Sequence, residues 1–214
     1  MMRLTMKHLF WLKLAIHLLA ILPVTYLILL ILMDKAGGDP VQYIIHYTGI
    51  GALNTLVILL CISPIARKFK QGVLIQTRRV IGLYVFAYAN LHIFAFISLD
   101  LLFAWSLLFE EVVKRPYILV GAISYIILFL LSITSFKALR RKMGKRWQQL
   151  HNLVYLLALL VPIHFYWSVK SEVIEPGIYI VLTSLLLLIR SPLPKQFSVF
   201  YLRLKNKLGS FTSS

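Results

Sequence analysis

Residues 143–167 read MGKRWQQLHNLVYLLALLVPIHFYW. A basic flank carrying Trp147 gives way to an apolar run about as long as the roughly 20 helical residues that cross the hydrocarbon core of a bilayer. His151 stands near the start of that run and His164 near its end, while His92 lies alone in another apolar run. An imidazole is costly in hydrocarbon unless its nitrogens are satisfied, so each histidine inside a membrane is a candidate for function.

Working outward, the whole chain fits a membrane protein. Its 214 residues are 60% hydrophobic and only 14% charged, and the mean hydropathy is +0.83. The net charge of +16 does not point to nucleic acid, because the basic residues sit between apolar runs and no basic-aromatic surface module occurs. Cys61, the single cysteine, has no partner for an internal disulfide and falls inside an apolar run, as a buried inert thiol would. Arg3, Lys7 and Lys13 precede an apolar run that reaches Met33, longer than a signal-peptide core and without a small-residue cleavage site. A retained first span is expected there.

Six such runs are expected to be helices: Trp11–Met33 (with Pro23 inside), His46–Ala66, Val80–Leu99, Pro116–Phe136, Leu150–Val169 and Pro176–Ile189. Lipid leaves no partner for open backbone groups, and runs of this length exclude barrel strands. The stretch Asp100–Lys114 is amphipathic, and Asp34–Pro40 is rich in turn residues. The fold class is therefore all-α, a bundle of six transmembrane helices over residues 1–190 with a basic tail over 191–214. Of the 23 Lys and Arg residues, nineteen fall in the N-terminal segment, the 67–79 and 137–149 loops and the segment from Arg190 onward. Only Lys35, Lys114, Arg115 and Lys170 fall on the opposite side, and all seven acidic residues join them. Basic loops stay in the cytoplasm, so both termini are expected inside. Trp147 and Trp167, twenty residues apart, suit the two aromatic belts. No strand or Gly-rich phosphate turn is legible, so a reductant would come from another protein or a membrane-soluble carrier.

Depth decides which histidines can meet. His92 follows Arg79 by thirteen residues, about 20 Å of helix. His164 follows His151 by the same number, from the same side. His92 and His164 thus reach one height in the outer half, as a pair of axial haem ligands on separate helices would. Two axial imidazoles close the iron and favour electron transfer over oxygen chemistry. His151 lies at the inner level, where the third helix offers Arg78 and Arg79; these suit haem propionates but not iron. His17 is one candidate partner for His151, and water or no haem are the others. On a straight helix His151 and His164 point roughly 140° apart, unless a kink at Pro162 changes the facing. The plain alternative is that each histidine only hydrogen-bonds a neighbouring helix. His8 reads as a solvated flank residue and His46 as a loop or cap residue at the outer face. Zinc lacks its ligand spacing, since no His-x₃-His and no companion Cys or carboxylate occurs.

The runs TRRVIGLYVFAYANLH (77–92), KRPYILVGAISY (114–125) and MGKRWQQLHNLVYLLALLVPIHFYWSVK (143–170) resemble the MsrQ family of haem-bearing bacterial membrane subunits. That family sits in the wider ferric-reductase-like transmembrane group, whose distant relatives include NADPH oxidases and metal reductases. The resemblance runs from the N-terminus to about Arg190. It implies a subunit of the bacterial inner membrane that carries electrons through haem b to a periplasmic molybdenum-containing partner, MsrP, which reduces methionine sulfoxide in envelope proteins. The donor it implies is the quinone pool, or a cytoplasmic flavin reductase by way of FMN. Its haem histidines fall on His92, His151 and His164, and no motif places FMN or quinone. Oxidase relatives carry two histidines on each of two helices; Arg78 and Arg79 depart from that, which bears on a second, inner haem. Glu110, Glu111, Glu172 and Glu175 form either a docking surface or a merely solvated one. Two other functions compete: a stand-alone ferric, metal or quinone reductase, and a transporter or structural membrane protein.

Overall fold

A computed structural model describes residues 6–169 and 171–190, with Met6 described for its backbone alone. The expected basic tail, Arg3 and Lys170 lie outside the described residues. Helices and turns make up all of the described chain, with no strand. Helix α1 spans Met6–Leu32, α2 Pro40–Lys68 and α3 Arg78–Ala95. A short α4, Trp105–Lys114, is followed by α5, Pro116–Ile133. Two one-turn-and-a-half helices, α6 (Lys137–Met143) and α7 (Lys145–His151), lead into α8, Leu153–Ser168, and α9, Ile174–Arg190.

Five stretches are long and apolar enough to cross a membrane: Lys7–Leu32, Pro40–Lys68, Gly72–Asp100, Pro116–Ile133 and Lys145–Ser168. The sixth expected run appears as α9, which has 17 residues. The chain is accordingly an all-helical, multi-pass membrane protein. Leu18, Leu19 and Leu22 of α1 are each more than 60% exposed, an arrangement that only an apolar solvent tolerates.

Local sequence explains the helix ends. Asp39 accepts a hydrogen bond from the Gln42 amide at 3.0 Å, and Pro40 takes the first turn of α2. Pro116 does the same for α5. Gly144, at φ +53°, takes the left-handed turn that joins α6 to α7. The chain runs up and down, so the bundle has a basic end, with the 69–77 and 134–152 connections, and an acidic end, with the 33–39 and 96–115 connections. Between them, Leu56, Leu60, Val85, Ile127, Leu131, Leu157, Ala158 and Leu186 pack a solid core in the basic half. The acidic half is hollow.

Candidate functional site

The hollow is a cavity of about 520 Å³ enclosed by α2, α3, α5 and α8, within the range that takes a cofactor. Leu53, Leu56, Val85 and Leu157 line it on the side of the core, and Gln42, Asp100 and Arg115 give it a polar mouth at the acidic end. His92, from α3, and His164, from α8, both line it, with ring centroids 6.3 Å apart and planes at 83°. The two positions that helix counting puts at one height therefore do meet.

Each imidazole is held by the same device. His92 Nδ1 lies 2.9 Å from the Ile45 carbonyl on α2, and His164 Nδ1 lies 2.6 Å from the Tyr117 carbonyl on α5. A carbonyl can only accept, so Nδ1 carries the proton in both rings and Nε2 keeps its lone pair. Among the described residues neither Nε2 has a hydrogen-bond partner. Four residues beyond each carbonyl stands a glycine under the ring. A Cβ on Gly49 would fall 3.1 Å from His92 Nδ1, and one on Gly121 only 2.7 Å from His164 Cε1. A side chain at Gly121 would push the His164 ring off its carbonyl, and one at Gly49 would press on the His92 ring.

These observations test whether haem suits the site. Metal-bound histidines usually donate their second nitrogen to a carbonyl or carboxylate, which fixes the tautomer and aims the other nitrogen. Bonds of about 2 Å from one metal to two opposed imidazoles, plus the depth of two rings, place the centroids about 6 Å apart. The observed spacing, both tautomers, the apolar walls and the glycine cradles fit. Among the described residues no group of three or more His, Cys, Asp or Glu forms a metal cluster, and His92 and His164 are the pair whose rings meet in the cavity.

His151 is elsewhere, at the basic end. Its Nε2 is 3.0 Å from Thr134 Oγ1, and its ring stacks on Trp147 at 4.0 Å. Thr134 donates its own proton to the Leu130 carbonyl at 2.7 Å, so it accepts from His151 and commits Nε2. His17, on α1, has its Nδ1 2.7 Å from the Tyr84 hydroxyl. His46 also lines the cavity, near its mouth, with Nε2 4.0 Å from Glu175; His92 and His164 are the two histidines of the cavity pinned through Nδ1. Arg78 is half-buried and Arg79 exposed, both at the basic end and away from the cavity.

Helix α7 ends at His151 and α8 begins at Leu153; His151 reaches Thr134, just past the end of α5, and His164 reaches the Tyr117 carbonyl near the start of α5. Sequence reasoning missed Gly49, Gly121 and the two carbonyls. The available signal was glycine inside two apolar runs, Gly49 with Gly51 in one and Gly121 in the other, small residues where helices approach closely.

Residues 14–162, well over half of the chain, match the family described as the ferric reductase like transmembrane component. The chain belongs to that family, whose transmembrane domain carries a membrane redox role. No solved structure matches the chain.

Proposed function

We propose that this protein is a haem b electron-transfer subunit of the MsrQ type, a six-span inner-membrane protein with both termini in the cytoplasm. It passes electrons from the quinone pool, or from a cytoplasmic flavin reductase by way of FMN, to the periplasmic molybdenum-containing reductase MsrP, for repair of oxidised methionines in envelope proteins. The observation that carries this reading is the facing pair His92 and His164, each pinned through Nδ1 and offering Nε2 to one apolar cavity. Family membership supports it, since ferric-reductase-like proteins generally bind haem and work with flavin- or NADPH-type partners.

His92 and His164 would hold haem there, and the group would supply a one-electron couple. The chain's own residues supply the rest. Ile45 and Tyr117 lock the rings against rotation, so the two donor nitrogens stay aimed. The leucines of the cavity floor keep water from the basic half. Arg115 at the mouth is the cation nearest to hand for the cofactor's carboxylates; it now binds Glu111 at 2.5 Å and the Tyr117 hydroxyl at 3.1 Å. The committed Nε2 of His151 favours one haem per chain over two. The acidic end, with Glu110 exposed on α4 and Glu111 half-buried against Arg115, is the face offered to the partner. Its depressed Glu110 carboxyl, hydrogen-bonded to Lys114, stays ionised at neutral pH.

The test is reconstitution. Reduced protein should reoxidise when MsrP and methionine sulfoxide are added together, and remain reduced with either alone. Failure with that pair but rapid reoxidation by ferric chelates would favour a stand-alone metal reductase instead.

A further inference from the structure

The basic end holds an unbalanced cluster of charge that the haem reading leaves unused. Among the described residues, Arg190 closes α9 with Nε, Nη1 and Nη2 all buried and without a hydrogen-bond partner, and the buried Nε of Arg78 is equally unpartnered. The Arg190 guanidinium lies 5.8 Å from the centroid of the Tyr155 ring. Arg78 at the start of α3 and Arg67 at the end of α2 are close enough for their charges to act on it. Arg67 is exposed and donates its Nε to the Ser63 carbonyl at 3.4 Å. Three helices thus bring three guanidinium groups together. All seven carboxylate side chains of the chain lie in segments at the opposite end.

Such an arrangement is unstable as it stands. A buried guanidinium without a partner forfeits its hydration, and its like-charged neighbours add repulsion. What corrects both at once is an anion with several acceptor oxygens, because the planar fork of arginine binds oxyanions through paired hydrogen bonds. The level is also telling: helix ends at a basic membrane face meet phosphate groups, and basic pockets between helices on that side hold lipid head groups.

We propose that Arg78 and Arg190, with Arg67 at the rim, form a binding site for a phosphate-bearing anion at the basic end of the bundle, separate from the histidine cavity. The ligand is either the head group of an anionic phospholipid or a soluble phosphate; the donors recognise the chemistry the two share.

Thermal unfolding of the full chain in detergent tests this, with potassium phosphate titrated against potassium chloride of equal ionic strength. Dihexanoyl phosphatidylglycerol is titrated in parallel against the zwitterionic phosphatidylcholine. The wild type should show a saturable rise in unfolding midpoint. Saturation by phosphatidylglycerol alone assigns a lipid head group, and saturation by phosphate as well assigns the free anion. Arg190→Gln and Arg78→Gln should each raise the half-saturating concentration by roughly tenfold or more, the loss expected of a charge-assisted hydrogen bond. Arg146→Gln, on the exposed face of α7, should leave it unchanged. If Arg190→Gln folds poorly, Arg190→Leu serves: in ligand-free detergent it should melt higher than the wild type, because an unpaired buried charge has gone. A response equal in wild type and variants, or one that follows ionic strength alone, overturns the site. So does loss of haem from Arg190→Gln without any phosphate or phosphatidylglycerol response, which would give these arginines to a haem propionate.

Discussion

Gly121 and Gly49 decide how well the two imidazoles can be aimed, and they differ in a measurable way. At Gly121 an added methyl group would sit 2.7 Å from His164 Cε1, inside any real contact, whereas at Gly49 the nearest His92 atom is 3.1 Å away. The ring over Gly121 must leave its carbonyl; the ring over Gly49 needs to give by only a few tenths of an ångström. Gly121→Ala should therefore lower the haem-to-protein ratio of purified protein severalfold, and Gly49→Ala should lower it less. Equal retention by both would mean that the cradles do not set the imidazole positions. At this scale the sequence was partly legible. A thirteen-residue offset puts His92 and His164 at one height, because helical rise is nearly constant. The tautomer-setting carbonyls were not legible, since a backbone oxygen has no signature in the sequence and its use depends on which helix lies alongside. His151 shows the same limit: its partner Thr134 lies 17 residues upstream, in the turn that follows α5.

Among the elements, α2 and α3 make the closest approach, and a glycine again permits it. A Cβ on Gly51 would meet the Tyr88 ring at 2.6 Å, and the hydroxyl of that tyrosine donates to the Ala20 carbonyl of α1 at 2.7 Å. Without a hydrophobic force between helices in lipid, such small-residue contacts carry the association. Gly51→Ala should destabilise the bundle by about 1–3 kcal/mol through overpacking, seen as a lower unfolding midpoint in detergent. An unchanged midpoint would show that Tyr88 swings aside without loss. Helix positions were readable from apolar run length, as α2, α3, α5 and α8 illustrate. The break at Asn152 was not, because Asn152 sits where no proline or glycine announces an interruption, while Pro162 is accommodated within α8. Proline 23 is likewise carried inside α1, whose lipid-facing surface leaves space for it.

For the molecule as a whole, the separation of charge is the organising fact: the carboxylate side chains fall in segments at one end and most of the Lys and Arg residues in segments at the other. The positive-inside rule turns this into an orientation. A fluorescent-protein reporter fused after Arg190 should glow in the cytoplasm, whereas alkaline phosphatase fused after Glu172 should be active in the periplasm. An active phosphatase at Arg190 would remove α9 as a span, the one transmembrane assignment that its 17 residues leave dependent on experiment. In the proposed orientation the histidine cavity would lie in the outer half, on the side proposed for MsrP, with the leucine core between it and the cytoplasm.

The most direct measurement is the absorption spectrum of the protein purified in mild detergent, oxidised and then reduced with dithionite, alongside pyridine haemochrome quantitation. A Soret band that shifts on reduction, near one haem per chain, is expected in the wild type, in His8→Ala and in His151→Ala. It should be lost or strongly diminished in His92→Ala and in His164→Ala. A folded, colourless protein, or spectra indifferent to both of those substitutions, would contradict the assignment of this cavity to haem.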